Sequence, residues 1–258
     1  MLLTPASHKL IMQNSAHTSL NASELSAEFS DFEESARYAL LQRLTPAIQH
    51  YLMGKFQLMG VLATMLERRL LSAEPDLPGM RTDCAAMKSA SLTSASSSRY
   101  LMTWIVPDKA ATLTVDAGVA ECLDLLSTEF RFKGFVIRKE VSGIDAALSS
   151  SALRSVLCAA LIAMCDLSTA PAELVIRAEA KPRCIELSIE LRPIEGRVTP
   201  VRSAKYRPLS WRDVEILALA ESVKLTRAEG GVQLSFAHAG ANEPIEIGIG
   251  DVIGREKA

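Results

Sequence analysis

The chain has 258 residues, room for one large domain or two of ordinary size. A hydrophobic fraction of 48% against 22% charged residues excludes wholesale disorder and collagen-like repeats. With 28 Lys+Arg against 30 Asp+Glu, the net charge of -2 supplies no field able to hold nucleic acid or an anionic membrane. No uninterrupted apolar run approaches the roughly 18 to 20 residues that span a bilayer, and no basic start leads into an apolar block. The expectation is a soluble, cytoplasmic protein with neither nucleic acid nor membrane as partner.

The five cysteines, Cys84, Cys122, Cys158, Cys165 and Cys184, are odd in number and scattered, which suits reduced core fillers. No CxxC occurs, and His8, His17, His50 and His238 never pair at metal-ligand spacing, so no metal site is expected.

Residues 1–31 mix Ser, Asn, His and Thr without a sustained period and read as a flexible leader. From about Phe32 the pattern changes. Leu41, Leu44, Ile48, Leu52, Met59, Leu62 and Leu66 step at helical spacing toward Leu70. A helix of about 40 residues would be roughly 60 Å long, too long for the interior of a compact globule, and suits a bundle. Glu74, Pro75, Asp76, Pro78 and Gly79 form a helix-stopping turn before a second helix from about Met80 to Trp104. Its Ser and Ala positions let another helix approach closely. The same tract reads alternatively as an exposed linker. Residues 32–106 thus predict an antiparallel helical hairpin that pairs with a second copy as a dimeric four-helix bundle.

After Pro107 strand-like and helix-like pieces alternate, and an α+β domain spanning 107–238 is expected. Thr112–Val115 reads as a strand, Val119–Phe130 as a helix, Phe135–Val141 as a strand and Ala152–Cys165 as an apolar helix. Leu174–Glu179 and Cys184–Leu191 alternate as a hairpin. Ser210 caps a helix from Trp211 to about Ser222, and Lys224–Arg227 and Val232–Phe236 flank the turn Glu229-Gly230-Gly231. Residues 239–258 read as a loosely ordered tail.

His50 is the candidate for chemistry. With Ile48 at zero, the apolar stripe lies within about 40° and His50 at about 200°, so the imidazole points away from the buried side. A neutral exposed imidazole is a competent nucleophile near pH 7. Gly54, one turn along that face, leaves room for a docking partner. The plainer alternative is an incidental surface histidine beside a packing glycine. Thr45 is a possible local cap, which makes Pro46 the start of a new helical segment or a kink in a long one.

A long helix with an outward histidine, a hairpin suited to dimerisation and a following α+β domain together resemble the dimerisation and ATPase-like domains of sensor histidine kinases, over about residues 32–238. Leu153-Arg154-Ser155-Val156-Leu157-Cys158-Ala159-Ala160-Leu161 is similar to the kinase N-box helix, LxNLLxNAxK, with Ser155 and Ala159 in place of the asparagines that contact magnesium and phosphates. Pro193–Pro208, where the ATP lid and GxGxG would fall, holds only Gly196. Asp116-Ala117-Gly118 has the first letters of a DxGxG box but precedes its helix, and Gly248-Ile249-Gly250 has no helix after it. Trp211–Ala220 and the Gly230-Gly231 hairpin resemble the kinase's last helix and closing strands.

A scaffold without its nucleotide parts is similar to histidine phosphotransferases of the ChpT type and to the sporulation-initiation phosphotransferase. The resemblance implies a degenerate ATPase-like α/β sandwich and a phosphoryl group passing between His50 Nε2 and receiver aspartates. It implies no bound cofactor, with Mg2+ on the partner receiver only. The partner is the receiver domain of a response regulator or hybrid kinase. Kinases place Asp or Glu after the phosphoacceptor, whereas Tyr51 is neutral near pH 7, which argues against autophosphorylation. Arg43 and Lys55, with Gly54, are candidates for neutralising phosphoryl charge or docking the partner. Arg43 lies two turns from His50, and solvated surface charge is its simpler reading. The alternatives are a non-enzymatic pseudo-histidine-kinase scaffold and an ATP-dependent kinase.

Overall fold

The computed structural model describes residues 5–194 and 206–238, of which residues 5–23 and 25 as backbone only. The first element, α1 (Pro5–Leu70), is one helix of 66 residues, about 100 Å long at 1.5 Å per residue. It reaches well back of the Phe32 start indicated by apolar spacing. Pro46 lies inside it without ending it, at the cost of one intrahelical donor. The Thr45 hydroxyl donates to the Leu41 carbonyl at 2.8 Å. Thr45 is therefore a mid-helix residue bonded back one turn, and neither a cap nor a new start.

The turn after α1 is tied by charge. Asp76 caps α2 (Leu77–Ile105) by accepting from Gly79 N at 3.0 Å. Arg69, in the last turn of α1, pairs with Asp76 and with Asp83, the latter at 2.9 Å. The Ser/Ala tract is helix, with Ala90, Ser94 and Ser97 on its buried side. Ser94 sends its hydroxyl back to Ala90 O at 2.8 Å, so a small polar residue sits between helices with its donor satisfied.

The second half is α+β, as the sequence indicated. A short strand β1 (Thr112–Thr114) leads into α3 (Val115–Phe132), capped by Thr114. The strands β2 (Val136–Glu140) and β3 (Ala147–Ser149) follow, β3 pairing antiparallel with β1. Next, α4 (Ser150–Ala152), a π-helical turn at Leu153–Leu157 and α5 (Cys158–Leu167) run on as one rod. Strands β4 (Ala172–Ala180) and β5 (Cys184–Pro193), helix α6 (Trp211–Ala220), and strands β6 (Lys224–Ala228) and β7 (Gly231–Ala237) complete the described part. The main sheet has order β2-β4-β5-β7-β6, with β2 and β4 parallel and the other neighbours antiparallel.

One face of that sheet is dry. Ile185, Leu187 and Ile189 of β5 and Val232, Leu234 and Phe236 of β7 alternate inward onto α5 and α6, while Glu186, Ser188, Glu190, Gln233 and Ser235 point the other way. Burying each such aliphatic or aromatic side chain contributes about 1.5–3 kcal/mol. The segment Ser150–Leu167 is long and apolar enough to cross a membrane by length and composition, yet 78% of it is buried inside the fold as the core helix. Cys122, Cys158 and Cys165 are buried, Cys84 is exposed and Cys184 half-buried, all free.

Both halves share one core. Ala36, Ala39, Leu40, Leu44 and Ala47 of α1 and Leu101 and Trp104 of α2 join the cluster formed by α3, α5, α6 and the sheet. Arg154, in the π-helical turn, fastens the joint. It pairs with Glu121 of α3 at 2.8 Å, donates to Thr103 Oγ1 of α2 at 2.8 Å and lies over the rings of Tyr100 and Trp104.

Candidate functional site

His50 is exposed on α1, on the side away from the stripe centred on Leu44 and Ile48. It is not isolated. His50, Thr128, Arg131 and Phe132 line one surface cavity of about 430 Å³, so His50 of the hairpin and the carboxyl-terminal turn of α3 border the same space. The chain holds α3 there through two features. Lys133 ends the helix and Gly134, at φ +83°, turns the backbone so that Phe135 N bonds to Phe130 O at 2.9 Å, a conformation that favours glycine. Phe130 and Phe135 are buried edge to face beneath the turn, and Phe132 stays 79% exposed beside the cavity.

Of the residues singled out for docking, Gly54 is exposed, and a Cβ built on it meets nothing within 4 Å. Lys55 is half-buried, with its ammonium 5.2 Å from the centre of the Tyr51 ring, a cation over an aromatic face one turn away. Arg43 is a correction. It is only 3% exposed, its guanidinium 2.7 Å from Asp166 and 3.1 Å from Glu129. Lys133 completes the cluster at 2.8 Å from Asp166 and 3.0 Å from Glu129, and Leu209 N donates to the other Asp166 oxygen at 3.3 Å. Arg43 therefore ties α1 to α3, α5 and the segment before α6, and it is neither solvated surface charge nor a docking cation. The physical reason is the domain joint: the second half packs over the upper part of α1 from the side that helical geometry alone leaves open.

The positions that resemble the N box lie inside the fold. Ala159 is fully buried and Ser155 half-buried, and Ala159 carries no side-chain oxygen for a hard cation. The Asp116-Ala117-Gly118 sequence starts α3: Asp116 pairs with Lys139 at 2.7 Å, and a Cβ on Gly118 would lie 2.5 Å from Leu153 Cδ1. Gly118 is a close-approach glycine between α3 and the π-helical turn. Residues 195–205, including Gly196, and Gly248-Ile249-Gly250 lie outside the described residues. No cluster of three or more His, Cys, Asp or Glu able to hold a metal occurs among the described residues.

Arg131 and Thr128 had no signal of their own in the sequence. Arg131 reads there as one more basic residue at a helix end, and only the packing of α3 against α1 brings it beside His50.

No family model matches the chain, and no curated protein sequence does. Among solved structures the chain is similar to the histidine kinase AdeS of Acinetobacter baumannii, at 14% identity and TM-score 0.39, over 68% of this chain and 94% of that one. It is similar to a bacterial phosphotransferase, at 13% identity and TM-score 0.35, over 76% of this chain and 95% of that one. The histidine kinase ThkA in complex with the response regulator TrrA is a third, at 13% identity and TM-score 0.37, over 81% of this chain and 66% of that one.

Proposed function

We propose that the protein is a histidine phosphotransfer protein of a two-component phosphorelay, passing a phosphoryl group between His50 and receiver-domain aspartates without binding ATP. The observation that carries this reading is the placement of His50: an exposed imidazole on the helical hairpin, opening into a cavity that a cation also lines. Transfer from an aspartyl phosphate asks little of the acceptor beyond exposure and orientation, because the receiver contributes its own carboxylates and Mg2+. Burial of Ala159 and the absence of amide side chains at Ser155 and Ala159 support a chain that takes its phosphoryl group from a protein and not from a nucleotide. Tyr51, beside His50, is half-buried under Lys55 and offers no carboxylate base for attack on ATP.

The reading includes a homodimer. Met53, Phe56, Leu58, Val61 and Met65 of α1 and Leu92 of α2 are exposed large apolar residues on the hairpin, surface that a second hairpin would cover in a four-helix bundle. The testing experiment is incubation of the full chain with a receiver domain phosphorylated with labelled phosphate. Acid-labile, base-stable label on the wild type and none on His50→Gln is the expected result. Receiver binding without transfer by either form would favour the pseudo-histidine-kinase scaffold instead.

A further inference from the structure

We propose that Arg131 holds the phosphoryl group as it moves onto and off His50. The transfer site would then be composite, with its nucleophile on the hairpin and its cation on α3. The inference rests on the phosphotransfer reading above. His50, Thr128, Arg131 and Phe132 line the same cavity, and Arg131 is the charged residue among these four. Its side chain has no ion-pair or hydrogen-bond partner among the described residues, whereas the neighbouring cations Arg43 and Lys133 are both engaged by Glu129 and Asp166. A guanidinium without a carboxylate is open to an anion, and its planar fork matches two phosphoryl oxygens.

The position favours a cation. The cavity lies at the carboxyl end of α3, where the aligned peptide dipoles place about half a negative charge. That partial charge disfavours an incoming phosphoryl group, and a positive side chain in the last turn offsets it. Arg131 is that basic residue. Thr128, one turn earlier and half-buried, brings a hydroxyl to the same cavity that can donate to a further oxygen.

In the transfer step the lone pair of His50 Nε2 forms the N–P bond while the P–O bond to the receiver's aspartate breaks, its electron pair leaving on the carboxylate oxygen. The other ring nitrogen keeps its proton, so no base is needed. Arg131 neutralises charge on the phosphoryl oxygens and neither takes nor gives a proton. The onward transfer reverses the same step.

The test labels the full-length wild type, Arg131→Ala, Arg131→Lys and His50→Gln from two donors, a phosphorylated receiver domain and potassium phosphoramidate, with melting temperature and receiver affinity measured alongside. Phosphoramidate has no docking surface. Arg131→Ala should label about 10- to 100-fold more slowly from both donors with its melting temperature kept, and Arg131→Lys should fall between. Normal labelling of Arg131→Ala by phosphoramidate overturns the proposal, whatever happens with the receiver, since Arg131 would then act only in docking. Label on His50→Gln equal to wild type, or none on wild type from either donor, would instead overturn the phosphotransfer reading itself.

Discussion

His50 and Arg43 lie seven residues apart on nearly the same azimuth of α1, yet one is exposed and the other buried in an ion cluster. Their substitutions should differ accordingly. His50→Gln removes no core contact and should change stability by no more than about 0.5 kcal/mol while abolishing transfer. Arg43→Met should leave the Asp166 and Glu129 carboxylates, both within the joint, with Lys133 as their remaining cation. A buried pair broken from one side costs about 3–5 kcal/mol, and the surviving lysine places the expectation at about 3 kcal/mol. Urea unfolding of the two variants measures both. An Arg43→Met variant as stable as the wild type would show that the cluster contributes nothing net.

At the scale of elements, α6 shows how local chemistry sets stability. Ser210 caps it, and Asp213 accepts from Ser210 N and Oγ while taking a bidentate pair from Arg207 at 2.8 Å on each oxygen. Burial alone would raise the Asp213 carboxyl, but the hydrogen bonds from Arg207 and Ser210 outweigh it and hold the group below the usual aspartate range. A carboxyl depressed in the folded state contributes stability above its unfolded pKa, and that contribution is lost as pH falls through the folded value. Asp213→Asn should therefore be less stable than wild type by about 1 kcal/mol at pH 7, with the gap closing as pH falls below about 4. Melting curves from pH 7 to pH 2.5 give the difference directly. A gap that persisted unchanged into acid would mean that the ionised carboxyl is not its source.

The same helix was legible in the sequence because Ser210 is a cap before an apolar run, to which the structure adds Asp213 as its partner, and the Gly230-Gly231 turn was legible from its glycines, of which Gly230 takes φ +75°. Those signals are local. Strand β3 escaped because three residues paired with β1 carry no period. Arg43 was misplaced because a helical wheel records where apolar residues cluster on one helix and not what later packs on its other side. Arg131 was invisible for the same reason, since its place at the cavity with His50 depends on a contact between α1 and α3 that no spacing encodes. His50 is exposed as its azimuth on α1 indicated, whereas Arg43 on nearly the same azimuth is covered by α3 and α5.

Across the whole molecule, the second half is joined to the hairpin through a continuous core and through Arg154. The hairpin leaves Met53, Phe56, Leu58, Val61 and Met65 in solvent, and if a second hairpin covers them, as proposed, light scattering of the full chain should give a dimer mass. A monomer at micromolar concentration would contradict the bundle. Calorimetry with Mg-ATP should show no saturable heat, and micromolar binding would restore the kinase reading.

The most direct test of the central claim is to locate the phosphate. After incubation with a phosphorylated receiver, peptide mapping of the full chain under alkaline conditions should place one acid-labile phosphoryl group on His50, in the peptide that also holds Tyr51 and Gly54. Phosphate found on another residue, or absent while the receiver binds and keeps its own, would contradict the account.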